Sequence, residues 1–159
     1  MDAGQMMEAW GVHGRLWALL LDNLPQEALP GVPVGMKGRS VGEIFAHVHN
    51  TRLMWLEVSP KLMAGVAKIP VKSKEDKAAL SVAALRAGLA ASHTAMAALF
   101  QEAVEKGKAK YYKRSPTTFY SYVVAHEWYH IGEICMTLTQ AGHKLDDKVL
   151  YGIWEWDKV

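Results

Sequence analysis

The sequence predicts an all-α protein, and three observations carry that prediction. Apolar residues recur at spacings of three and four along four long segments, which places them on one face of a helix. Serines stand at the starts of three of these segments, and glycine or proline follows the ends, the chemistry of helix caps and stops. No segment reads convincingly as a strand. Four long helices joined by short to medium loops are expected to form a four-helix bundle. The chain has no internal repeat, low-complexity segment or dividing linker, so residues 1–159 are expected to form a single domain.

The first helix is expected from about Gln5 to Asn23, where Met6, Trp10, His13, Trp17, Leu20 and Leu24 recur at 4-3-4-3-4 spacing. Pro25 ends it. Pro30 to Arg39 carries Gly31, Pro33, Gly35 and Gly38 and reads as a loop. Ser40 then caps the second helix, with Glu43 completing a capping box. That helix runs through Ile44, Phe45, Val48, Met54 and Trp55 to a stop at Ser59-Pro60.

After a connection from Lys61 to Lys72, Ser73 and Asp76 mark the start of the third helix. It is expected to be the longest element, reaching about Lys106 with Gly107 as its stop, on a seam of Val82, Leu85, Leu89, Met96, Leu99 and Ala103. The basic stretch Lys108 to Arg114 reads as a solvated loop. Ser115-Pro116 opens the fourth helix, which ends at Gly142. The tail from Leu145 to Val159 holds Tyr151, Trp154 and Trp156, too many aromatics for a free end, and is expected to pack across the bundle.

Composition excludes several classes of function. A formal charge of +2 and the absence of a Lys/Arg block argue against a nucleic-acid partner or an anionic membrane. The longest uncharged stretch, Ala87 to Gln101, is too short to span a bilayer, and the N-terminus has no signal-peptide pattern. A single cysteine, Cys135, excludes an internal disulfide and fits a reducing cytosol. The expectation is a cytoplasmic protein.

The chemistry concentrates in His126-Glu127-Trp128-Tyr129-His130, an HExxH string on the fourth helix. Two histidines four apart share one helix face and can reach one metal ion. They belong to the seam Phe119, Val123, His126, His130, Ile134 and Thr137, so both point into the apolar arc and need a metal or hydrogen bonds to satisfy them. A defined site needs a third ligand. His47 and His49 on the second helix are both candidates, and helical geometry at about 100° per residue does not choose between them. His13 and His93 are further possibilities, more simply read as core residues, and His143 is expected to be exposed.

A protease reading of HExxH fits poorly. Glu133 and Met136 stand where the extended zinc-protease motif needs glycine and a third histidine, and no strand is available to align a peptide. Glu127 is the candidate general base, although it is turned about 100° from His126 and reads more simply as a surface ion pair. Glu133, Asn50 and Tyr122 are candidate partners for the imidazoles. Cys135 falls on the far face of the helix and reads as a packed thiol. Trp10, Trp17, Trp55 and Tyr122 are expected to fill core more than to line a pocket.

Ser40-Val41-Gly42-Glu43-Ile44-Phe45-Ala46-His47, with Arg52-Leu53-Met54-Trp55-Leu56 after it, resembles the second helix of the DinB/YfiT-like family. His126 to His130 followed by Ile131-Gly132-Glu133-Ile134 resembles that family's fourth-helix motif, and Tyr151-Gly152-Ile153-Trp154-Glu155-Trp156 resembles its ending. The resemblance implies a four-helix bundle with three histidines around one divalent metal ion, zinc or nickel. Carried over, the ligands are His47, His126 and His130, with His49 as the alternative. Relatives implied by the resemblance include thiol S-transferases using low-molecular-weight thiols and maleylpyruvate isomerases, and many form homodimers.

The resulting expectation is a metal-dependent transferase or hydrolase acting on a small molecule. The alternative is a bundle that binds metal or ligand without catalysis, as a stress-response or partner-binding module. A metal-free bundle whose histidines bond to tyrosines and glutamates is the third reading.

Overall fold

The structure is a computed structural model that describes residues 1–35, 37–110 and 112–158. Met36 in the expected loop 30–39, Tyr111 in the basic loop 108–114 and the terminal Val159 lie outside the described residues. Among the described residues there are six α-helices, four of them long, and no strand.

Helix α1 spans Ala3–Asp22 and starts on Asp2, which forms a capping box with Gln5. Its whole seam from Met6 to Leu24 is buried. Helix α2, Val41–Leu56, starts on Ser40, whose hydroxyl accepts from the Glu43 N–H while Glu43 accepts from the Ser40 N–H. The helix stops at Leu56, short of the proline, and Pro60–Met63 forms a 3-10 turn.

The expected single third helix is in fact two. Helix α3 covers only Lys74–Ala78, and α4 begins afresh at Val82–Glu105 with Ser81 as its cap. Gln26 holds the break open: its amide donates to the Leu80 carbonyl and its oxygen accepts from the Val82 N–H. Both groups would otherwise serve a continuous helix. Leu80 turns inward at the break and packs by Gly42, where a methyl group would lie only 3.1 Å from it. The longest element is consequently α5, Pro116–Gln140, with 25 residues against 24 for α4. Gly142 ends α5 at φ 82°, a left-handed conformation that suits glycine.

Helix α6, Asp147–Gly152, lies against α1. The tail does pack, but through Leu145, Val149 and Ile153. Tyr151 and Trp154 are exposed, and Trp154 and Trp156 stack on Trp128 of α5.

The core divides into two apolar clusters. One joins Leu20 of α1, Phe45 of α2, Leu85 of α4 and Ile134 of α5. The other joins Trp10, Leu53, Phe100 and Phe119 of the same helices. The halves that share a cluster show that α1 and α5 run one way and α2 and α4 the other. Parallel α2 and α4 need a long return connection, which residues 57–81 provide. Between the clusters each long helix contributes a buried polar residue: His13, Arg52, Ser92 and Glu127. By length and composition α4 is apolar enough to cross a bilayer, but its buried residues pack against α1, α2 and α5.

Candidate metal centre

Helix α5 presents His126 and His130 one turn apart, and α2 presents His47 opposite them. One ring nitrogen from each of the three lies within 4.8 Å of the others, close enough to hold a metal ion. His130 is buried, and His47 and His126 are half-buried. The His47 ring centroid is 4.7 Å from that of His130 and 5.6 Å from that of His126.

The surroundings prepare these rings as ligands. Glu133, one turn along α5, takes a hydrogen bond from Nδ1 of His130 at 2.7 Å. That bond leaves the lone pair of His130 on Nε2, the atom 3.2 Å from Nε2 of His126. Burial, then the repulsion of Arg39, His130 and His126, pushes His47 down to about 4, so its imidazole is neutral at pH 7. Burial and His130 likewise lower His126. The residues present therefore fit a divalent cation: three converging imidazoles, one of them oriented by a carboxylate, fill three of the four positions of a tetrahedral ion.

Around the imidazoles, the Tyr122 ring stacks on His126 at 6.5 Å and is 46% exposed. Trp55 and Tyr112 extend this aromatic wall, and Tyr129 meets the edge of His130. Tyr122 thus stands beside the imidazoles, Trp55 is half-buried against the core, and Trp10 and Trp17 are buried within it.

His49 is not brought to this cluster. Two positions along α2 it faces away, with Nε2 2.8 Å from the Ala67 carbonyl oxygen and its ring against Gly88 of α4. Asn50, expected beside the imidazoles, instead pins the backbone of Ile69 through both its amide groups. His93 stacks on Trp10 at 4.7 Å, and His143 is half-buried just past α5. Cys135 is half-buried between α5 and the tail, and burial raises its thiol.

Glu127 occupies a different place from the surface expected of it. It is 1% exposed, and both carboxylate oxygens are taken. Oε1 accepts from Arg52 Nε at 2.8 Å, and Oε2 accepts from Arg52 Nη2 at 2.6 Å and Trp17 Nε1 at 2.8 Å. His13 Nε2 lies 2.8 Å from the same Oε2 and donates to it, leaving its Nδ1 buried without a partner. Burial opposes the charge on Glu127, but Arg52 and His13 outweigh it and hold the carboxyl well below the usual carboxylate range.

Arg52 is a buried partner that the HExxH pattern does not point to. A signal was present: Val48, Arg52 and Leu56 recur at intervals of four, which puts a cation on a buried line. Val123, Glu127 and Ile131 do the same on α5 with an anion. Two opposite charges on two core faces imply a buried pair.

A cavity of about 300 Å³ opens between α1 and α4. None of the three clustered imidazoles lines it, although Arg52 and His93 do.

The DinB family model matches residues 1–151 of the chain. No curated protein and no solved structure matches it.

Proposed function

The chain belongs to the DinB family, and on that premise we propose that it is a metal-dependent enzyme acting on a small molecule through His47, His126 and His130. The observation that carries the reading is the convergence of three imidazole nitrogens from two facing helices. The reaction type we assign is thiol S-transfer or hydrolysis, in a cytoplasmic four-helix bundle that acts as a homodimer.

A divalent ion, zinc or nickel, would supply Lewis acidity there, lowering the pKa of a water molecule or thiol at the site. The protein's own residues do the remaining work. Glu133 orients the His130 ring by accepting from its Nδ1, which turns Nε2 toward the other two histidines. Tyr122 offers a flat apolar wall beside His126. Arg39, exposed and close enough to depress both His47 and His126, draws in the anionic end of a substrate such as a low-molecular-weight thiol.

A second reading rests on Glu127. With both oxygens committed inside the core, the HExxH string has no free carboxylate to serve as base. That favours a bundle which binds metal or ligand without turning it over, as a stress-response or partner-binding module.

The test is elemental analysis of purified, untagged protein beside His47→Ala and His49→Ala. About one zinc or nickel per chain is expected, lost with His47→Ala and kept with His49→Ala. Absence of metal after divalent ions are added back would overturn the proposal. A full metal site without reaction toward any thiol–electrophile pair would leave the binding module.

A further inference from the structure

We propose that Glu127 is a positioning residue: clamped to Arg52, it sets the spacing of α2 and α5 and so the distance of His47 from His126 and His130. This rests on the three histidines being a metal site.

His126 and His130 are placed relative to each other by one helix. His47 comes from another, so its position depends on how the two helices pack. A metal site tolerates little error there, since zinc–nitrogen bonds are about 2.0–2.1 Å long. Apolar side chains alone hold such a spacing loosely, because they can slide and repack. A planar guanidinium forked onto a carboxylate does not slide.

The clamp lies beside the ligands on both helices. Glu127 follows His126 directly, and Arg52 is five residues from His47, a rise of about 7.5 Å along α2. Among the described residues, the hydrogen bonds joining α2 and α5 side chains run from Arg52 to Glu127.

Neither partner is free to move. Arg52 Nη1 donates to the Leu89 carbonyl at 3.0 Å and approaches Ser92 Oγ at 3.4 Å, both on α4. Its guanidinium lies 5.2 Å from the Trp10 ring centroid on α1. Trp17 and His13, also on α1, hold Glu127 from the other side. All four long helices therefore meet at this one ion pair, α1 through Glu127 and α4 through Arg52, in the polar layer between the two apolar clusters.

Stability alone does not account for this arrangement. Buried ion pairs are often no more stabilising than apolar residues of the same size, because two charges must leave water. What the pair adds is a single permitted geometry. A carboxylate at 1% exposure with both oxygens bonded also cannot meet a substrate, which separates this role from that of the usual HExxH base.

The test compares full-length wild type, the Arg52→Met/Glu127→Met double variant and His47→Ala. Each is read for zinc affinity by chelator competition, for the visible spectrum of bound cobalt(II), and for the thermal midpoint of the metal-free protein. The double variant is expected to fold with a lowered midpoint, because the methionines fill the layer while Trp17 and His13 lose their acceptor. Its zinc affinity should fall about 10–100-fold, with a changed cobalt spectrum, the loss typical of removing a supporting partner.

A folded double variant with wild-type affinity and spectrum overturns the clamp while leaving the metal site standing, provided His47→Ala has lost its metal. A wild type that takes up no more zinc than His47→Ala overturns both. If the double variant does not fold, Glu127→Gln decides by the same readings. Gln keeps one acceptor for Arg52, and it should weaken zinc binding with the fold intact; unchanged affinity overturns the proposal.

Discussion

His93 makes acidification costly outside the histidine cluster. Burial, followed by repulsion from Arg52 and His13, pushes it down to about 4 from an ordinary 6.5. Between those values the unfolded chain binds the proton and the folded chain does not, so stability rises with pH across that window. The contribution is complete above 6.5 and lost as pH falls toward 4. Glu127 acts in the same direction in a lower window: its depressed carboxyl contributes above the ordinary carboxylate value of 4.5, and that contribution is lost as pH falls below it. Metal-free protein should therefore lose thermal stability between pH 6.5 and 4.5, and His93→Gln should flatten that slope in a melting series. An equally steep slope would refute the assignment. Truncating Glu127 to Ala strands Arg52 in the core and should cost about 3–5 kcal/mol in denaturant unfolding.

The helices owe their boundaries to a few polar side chains. Ser40→Ala removes the acceptor for the Glu43 N–H and should cost about 1 kcal/mol. Gln26→Ala releases both groups at the break between α3 and α4. Amide exchange at Val82 should then accelerate while exchange at the centre of α4 stays slow. Uniform acceleration along α4 would mean that Gln26 supports the whole helix and not its start. The break was hard to read in sequence because Ser73 and Ser81 are both good caps. The seam of Val82, Leu85 and Leu89 follows closely enough to suggest one unbroken helix. Gln26, the residue that decides the matter, lies more than fifty positions away.

At the scale of the molecule, a metal shared by α2 and α5 would couple binding to folding. Zinc at a hundred times its dissociation constant should add about 2.7 kcal/mol of stability, visible as a raised thermal midpoint, and His47→Ala should abolish the rise. An identical rise in that variant would place the ion elsewhere. The helical class, the seam of α1 and the caps of α2 and α5 were all legible in the sequence, because helical periodicity and capping act within a few residues. The pair His126 and His130 was legible for the same reason. Helix angles left His47 and His49 equivalent, and packing separated them: α5 lies on one side of α2 and Gly88 of α4 on the other. Glu127 shows the limit most clearly. In sequence it is the acid of an HExxH string, and its environment comes from Arg52, Trp17 and His13, which only the packed helices bring within hydrogen-bond reach.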